Sequence, residues 1–413
     1  MNNENTQKNM AWNAAGNLIY LLCQWLLTVL VTRLGDFQDA GILSIAMSVS
    51  ATFQTLAMFG IRNFQVSDID TKYSASSYVK FRIITCALAL VFCMLFSVIS
   101  GYSSPVLLSV GLFMLYRLAE NFSDVLHGIA QKAGRLDIAG KSFTAKGIGS
   151  LAVFLTVFIL TKHLNFALVG IAVFSIAHTF LYDYVCARKL EGFNPFEKGI
   201  PCLELAKETL PLCVYLFLTS FIATLPKLIL EQQRGEEILG IYSSIFAPAL
   251  LVSAAAGYLY TPFITSFASA YAKKDTKAFV GLFVKIAAII VVMALVVIFV
   301  AAFLGEFGLV LIFGEKIRPH SYLLIPILIS VFTSAFFTFM CMIEVVMRDF
   351  LWLIISCVIG MAIEISFAGF FIRQFDANGA SYIFIIASSL PAIILLARFL
   401  FATAKLKAPD KNP

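Results

Sequence analysis

The chain has 413 residues, of which 60% are hydrophobic and only 13% charged. A water-soluble domain carries about 25% charged residues, so long apolar runs along the whole chain define an all-α integral membrane protein. The net charge of +6 follows from cations in the loops that set topology, and it implies no nucleic-acid partner.

Hydropathy gives about twelve spans, at 10–33, 40–60, 81–101, 105–127, 143–162, 165–187, 208–230, 239–262, 279–304, 321–346, 351–372 and 379–401. The polar start MNNENTQKNM has neither a basic n-region nor a small-residue cleavage site, so no signal peptide is expected. Most of the 30 Lys and Arg fall on the side of the N-terminus. They are Lys8; Arg62, Lys72, Lys80 and Arg82; Lys132, Arg135, Lys141 and Lys146; Arg188, Lys189, Lys198 and Lys207; Lys273, Lys274, Lys277 and Lys285; Arg348; and Arg398, Lys405, Lys407 and Lys411. The other side holds Arg33, Lys162, Arg234, Lys316, Arg318 and Arg373. Both termini are therefore expected in the cytoplasm.

Span one carries Asn13, Asn17, Gln24 and Thr28 at steps close to one helical turn. Such a stripe suits the wall of a sugar-binding cavity and interhelical hydrogen bonding equally well. Span four is the most informative. Its apolar run from Pro105 to Leu118 is too short to cross a bilayer, so the crossing must take in Arg117, Glu120 and Asp124. Their spacing puts them on one helix face with Asn121 and Gly128. Charges at such depth are costly and usually face a bundle interior or a wet pathway. Arg117 is placed near mid-depth with Glu120 as its partner, and Asp124 nearer cytoplasmic water. In span six, Asp183 lies near the cytoplasmic end, and His178 reads as a packing residue.

The polar stretch from Arg188 to Glu208 splits the spans six and six. The expected organisation is an N-terminal lobe at 1–190, a cytoplasmic linker at 191–207 and a C-terminal lobe at 208–413, the two lobes surrounding a central cavity. The halves look related. Ala40-Gly41-Ile42-Leu43-Ser44 opens span two and Leu239-Gly240-Ile241-Tyr242-Ser243 opens span eight, each after an acidic loop. Six spans per half makes this a parallel repeat, an arrangement that supports alternating access.

In the second half, Lys227 and Glu231 form an i, i+4 pair after Pro226, where Lys227 either snorkels or contacts a phosphate. Glu344 and Arg348 read as a second such pair. Glu364 stands alone in an apolar span, which makes it a candidate ion-coupling residue or a static partner for Arg117 or Lys227. The eight Cys are scattered and none has CxxC spacing, so they read as packing residues. There is no HExxH, no phosphate-cradling Gly loop and no Gly-x-Ser-x-Gly, and the four His are isolated in sequence. An enzyme, a cofactor and a metal site are not expected.

The segments GILSIAMSVS (41–50), LGIYSSIFAP (239–248) and VLIFGEKIRPHSYLLIPILIS (310–330) resemble those of Wzx-type polysaccharide flippases. These belong to the superfamily of multidrug, oligosaccharidyl-lipid and polysaccharide exporters. The resemblance covers essentially the whole chain in span number and two-lobed layout. It implies a transporter that flips a polyprenyl-diphosphate-linked oligosaccharide across the bacterial plasma membrane, with a polysaccharide polymerase and a chain-length regulator as partners. Arg117, Glu120, Asp124, Asn13, Asn17, Gln24 and Lys227 are the expected substrate contacts, since Arg matches a phosphate with a bidentate fork. The runner-up is a cation-coupled multidrug extruder, for which Glu120, Asp124 and Glu364 would serve and Arg117 would not. A lipid II flippase, which usually carries fourteen spans, is a nearer alternative, and an integral-membrane enzyme such as a polysaccharide polymerase or acyltransferase is the third reading.

Overall fold

A computed structural model describes residues 3–68, 72–197, 201–260 and 263–407, with side chains described except at 3–6, 63, 253–256, 258–260 and 405–407. Lys198 and Lys411, expected as inner cations, lie outside these, as do part of the linker and the end of the eighth span, and the side chains of Lys405 and Lys407 are not described. The described residues are helical with no strand. The order is α1 (Asn3–Leu34), α2 (Phe37–Met58), α3 (Ile61–Ser67), α4 (Ala75–Ile99), α5 (Ser104–Lys132), α6 (Leu136–Thr161), α7 (Leu164–His178), a π turn (Thr179–Tyr184) and α8 (Val185–Leu190). Then come α9 (Cys202–Tyr260), α10 (Ile264–Ala272), α11 (Thr276–Phe313), a 3-10 segment (Glu315–Leu323), α12 (Leu324–Met347), α13 (Phe350–Phe375) and α14 (Ala377–Lys407).

Eleven of the described helical segments are long and apolar enough to cross a membrane. One of them, Cys202–Val252, has 51 residues, or about 75 Å at 1.5 Å per residue, against a hydrocarbon core of about 30 Å. Gly235 breaks it with φ 86° and ψ 171°, a conformation open to glycine. The break divides α9 into two crossings and brings the spans to the expected twelve. The chain is an integral membrane protein. Its outward apolar side chains, such as Leu295, Phe299, Phe303 and Phe307 of α11, are exposed as lipid-facing residues should be.

Helix ends carry their own signals. The Asp36 carboxylate accepts from Asp39 N at 2.8 Å and starts α2. Ser74 caps α4, and Pro105 occupies the first turn of α5, where its missing N–H costs nothing. Left-handed residues end α2 at Phe59, α6 at Lys162 and α12 at Arg348.

Two compact units divide the chain, Met1–Ser220 and Phe221–Pro413. In the first, α1 lies against α6 with backbones touching. A Cβ on Gly16 would stand 2.1 Å from the Gly140 carbonyl oxygen, and one on Gly140 would stand 2.2 Å from that of Trp12. Small residues at a helix crossing permit this approach in a membrane. At the end of the unit holding the α2–α4 connection, Ile61, Tyr78, Val79, Phe81, Leu126, Ile129 and Leu205 form an apolar core. In the second unit, α13 and α14 approach in the same way at Gly360 and Gly379.

The element order repeats between the halves. Long helix, break, long helix, short helix and long helix recur as α1 to α4 and as α9 to α11. Asp36 and Gly235 mark the breaks 199 positions apart, the same offset as Gly41 and Gly240. Further on, left-handed Gly134 and Arg348 lie 214 positions apart, as do left-handed Lys162 and Asp376.

Three sequence expectations fail. Arg82 and Lys146 are not loop cations: α4 and α6 start earlier than the apolar runs suggest, leaving Arg82 fully buried and Lys146 2% exposed. Arg348 does not pair with Glu344, because it leaves α12 in the left-handed conformation and is exposed, while both Glu344 carboxylate oxygens are buried without a hydrogen-bond partner. Arg398 pairs with Asp349 instead, at 2.7 Å. Lys227 does not reach Glu231; its Nζ lies 3.9 Å from the centre of the Phe246 ring.

Candidate functional site

The N-terminal unit encloses a cavity of about 180 Å³ lined by Tyr20, Gln54, Met58, Arg117, Glu120, Asn121, Ser123, Asp124, Phe143 and Lys146. Helix α5 supplies its central stripe. One turn of helix separates Arg117 from Glu120 and another separates Glu120 from Asp124, so all three expected residues of span four meet this space.

Three polar groups surround it. In the first, Arg117 Nη1 donates to Glu120 Oε2 at 2.8 Å. The Tyr20 hydroxyl bonds the other Glu120 oxygen and stands 3.0 Å from the Tyr116 hydroxyl, which accepts from Gln24 Nε2 at 2.7 Å. The Arg117 guanidinium also lies 5.1 Å from the Phe113 ring centre, a contact that favours a delocalised cation. In the second group, Asp124 accepts from Arg62 at 3.0 Å and from Arg82 at 2.9 Å, and Arg82 also donates to the Ala57 carbonyl at 2.7 Å. Asp124 therefore sits between two guanidinium groups rather than simply reaching interfacial water. Beside it Gln54 donates to Asn121 at 3.0 Å.

The third group is fully buried. Lys146 lies 2.9 Å from Asp183, His127 Nε2 lies 3.1 Å from the same carboxylate, and Ser123 donates to it at 2.7 Å. Lys146 also bonds Ser123 and donates to Thr179 at 3.0 Å. The π turn sets Thr179 and Asp183 together on the inner side of the bundle, a local distortion that recurs at functional sites. His127 and His178, isolated in sequence, both approach Asp183, the latter at 3.8 Å.

Other expected residues lie elsewhere. Asn17 donates to its own helix at the Asn13 carbonyl, 3.0 Å away, and neither Asn lines the cavity. Gln24 stands two hydrogen bonds behind the cavity wall, on Tyr116, which in turn meets the lining residue Tyr20. Lys227 and Glu364 belong to the second unit. Glu364 is fully buried, and both of its oxygens lack a hydrogen-bond partner. Lys146, Arg82, Tyr20 and Tyr116 were missed. The available signal was register: extending α6 back to its true start places Lys146 three turns inside a span.

A bundle of membrane helices in two units, with a charged cavity in one, has the architecture of a multi-span transporter. Solved structures agree on the fold. An inward-facing multidrug resistance MATE family transporter of the MOP superfamily matches with TM-score 0.69 at 12% identity, covering 97% of this chain and 99% of that one. The lipid II flippase MurJ, in an inward closed conformation, matches with TM-score 0.70 at 12% identity over 95% of this chain and 89% of that one.

The chain belongs to the polysaccharide biosynthesis protein family, which its residues 6–267 match. It is also similar to the capsular polysaccharide biosynthesis protein CapF of Staphylococcus aureus, at 26% identity over 77% of this chain and 80% of CapF. Family and fold together make it a polysaccharide flippase, a membrane transporter of polysaccharide biosynthesis.

Proposed function

We propose that the protein carries a polyprenyl-diphosphate-linked oligosaccharide from the cytoplasmic to the outer leaflet of a bacterial plasma membrane by alternating access, its cavity receiving the diphosphate. The observation that carries this is the charge balance. Arg62, Arg82, Arg117 and Lys146 stand against Glu120, Asp124 and Asp183. The lining itself is balanced, Arg117 and Lys146 against Glu120 and Asp124; the surplus comes from the second guanidinium held by Asp124 behind the wall, and it suits an anionic headgroup better than a cationic drug.

Arg117 is the phosphate contact. It is held by one carboxylate at one end of its fork, and its Nε is buried without a partner. A diphosphate oxygen competes with Glu120 for the guanidinium, an Arg–phosphate bond replacing an Arg–carboxylate bond of similar strength, while Glu120 keeps the Tyr20 hydroxyl. Glu120 holds the guanidinium aimed at the cavity in the empty state. The Tyr20 hydroxyl, Gln54 and Asn121 offer hydrogen bonds to the first sugar. The glycan extends beyond a space of this size, and the polyprenyl tail stays in lipid. Lys227 and the span-one residues Asn13, Asn17 and Gln24 are assigned a lesser part, since none lines the cavity.

Glu364 is the proposed proton-coupling residue, supported by its burial without a partner in the second unit. Both termini face the cytoplasm in this reading, supported by the distribution of Lys and Arg in the loops. A polysaccharide polymerase and a chain-length regulator act on the flipped product.

The test is thermal stabilisation of the purified protein. Polyprenyl-diphosphate sugars raise Tm and cationic dyes do not; the reverse result assigns the cavity to drug extrusion. Arg117→Ala abolishes the stabilisation.

A further inference from the structure

A second polar cavity lies apart from the first, where the start of α1 meets the turn between α5 and α6. It measures about 460 Å³, opens to the outside, and is lined by Lys8, Asn9, Trp12, Gly134, Arg135, Asp137 and Lys141, with Ala133. Asn9 Nδ2 donates to the Gly134 carbonyl at 2.9 Å and fastens the two walls together. Asp137 accepts from Arg135 at 2.8 and 3.1 Å and from Lys141 at 3.2 Å. That single carboxylate therefore fixes the direction of two cations without cancelling them, and Lys8 adds a third. The indole of Trp12 completes the wall, 5.9 Å from Lys141 Nζ and 41% exposed.

The surroundings distinguish a lipid from a free anion. Trp rings settle at the headgroup level of a bilayer. Further along α1, Leu18 and Leu22 are exposed, four residues apart and lying nearer to the side of the helix that carries Lys8 than to that of Trp12. A ligand with its phosphate among Lys8, Arg135 and Lys141 has an apolar rail along α1 for its acyl chains. Inorganic phosphate would gain nothing from that rail.

We propose that this cavity is a headgroup site for an anionic phospholipid, held by Lys8, Lys141 and Arg135. The site requires only that the chain spans a membrane. It is independent of the identity of the transported cargo.

The experiment is titration of the detergent-purified full chain with short-chain phosphatidylglycerol, short-chain phosphatidylcholine and inorganic phosphate, followed by native mass spectrometry. Wild type binds phosphatidylglycerol tighter than phosphatidylcholine. The double variant Lys8→Gln/Lys141→Gln weakens phosphatidylglycerol about thirtyfold, about 1 kcal/mol for each lysine lost near an anionic lipid, and leaves phosphatidylcholine unchanged. Both lysines are exposed at the surface, and an unaltered Tm in lipid-free detergent checks that the double variant is folded. The proposal is overturned if wild type does not prefer phosphatidylglycerol, if the double variant binds it as wild type does, or if inorganic phosphate displaces it at equal concentration. Stabilisation of the same double variant by polyprenyl-diphosphate sugars is expected to persist, which separates this site from the transport cavity.

Discussion

The 214-position offset that relates α5 and α6 to α12 and α13 gives the charged cavity residues of those two helices sequence counterparts in the second half. Arg117 corresponds to Val331, Glu120 to Ser334, Asp124 to Thr338, His127 to Cys341 and Lys146 to Gly360. The helix break and two positive-φ ends recur in both halves, but the counterparts of these charged residues are uncharged. Where Lys146 crosses to Asp183, Gly360 instead lets α13 approach the α14 backbone, with the Ala387 carbonyl 2.7 Å from where a Cβ would be. A helix crossing thus either holds buried charge or packs closely. The first half uses both, close packing at Gly16–Gly140 and buried charge at Lys146–Asp183, whereas among the described residues of the second half Glu344 and Glu364 are buried with neither oxygen hydrogen-bonded.

The sharpest way to break this comparison is Arg117→Ala. At normal expression it is expected to abolish surface-polysaccharide complementation; unchanged polymer would show that the charged half does not hold the cargo. Next comes Lys146→Met, which leaves Asp183 buried with its main cation gone. Removing one member of a buried pair costs about 3–5 kcal/mol, to be read as lost unfolding free energy in detergent. Its counterpart Gly360 predicts failure of another kind: Gly360→Leu obstructs a backbone contact and destabilises through packing, with no dependence on salt.

Glu364→Gln tests the second half's own chemistry. The amide keeps the shape and removes the ionisable group, so transport in proteoliposomes is expected to lose its response to a proton gradient; an unaltered response would remove the coupling role. The smallest effect belongs to Asp68, in the loop between α3 and α4. Partial burial alone would raise its pKa, but it accepts from the Tyr73 and Lys72 amides and the Tyr78 hydroxyl, and these hold it below the usual carboxylate value. A group depressed in the folded state stabilises above its unfolded pKa of about 4 and loses that contribution as pH falls through the folded value. Asp68→Asn is therefore expected to lower Tm slightly at pH 7 and to leave it unchanged at the acid end of the titration.

Much of this was legible in the residues. The spans follow from apolar length, and the α5 stripe follows from three charges at helical spacing inside a segment that must cross. The misses have physical causes. Arg82 and Lys146 lie within two or three turns of a helix start, where cations ordinarily reach water; hydropathy puts them among the first residues of their spans, and only tertiary partners hold them inside. Tyr20 and Tyr116 carry no signature among 14 Tyr. The Glu344–Arg348 pair fails because i, i+4 spacing assumes a helix that continues through Arg348, and α12 ends there.

The contact of Gly16 with Gly140 has a mechanical consequence. With carbonyl oxygens where side chains would be, α1 and α6 have no room to slide or roll against each other, so they form a single slab. Tyr20, Phe143 and Lys146 are fixed to that slab, whereas Arg117, Glu120 and Asp124 ride on α5. The cavity therefore has one rigid jaw and one separate one. Gln54 and Met58 of α2 close the remaining side, so the width changes when α5 or α2 is displaced against the slab, and the Tyr20–Glu120 and Lys146–Ser123 bonds are the clasps that a displacement of α5 opens.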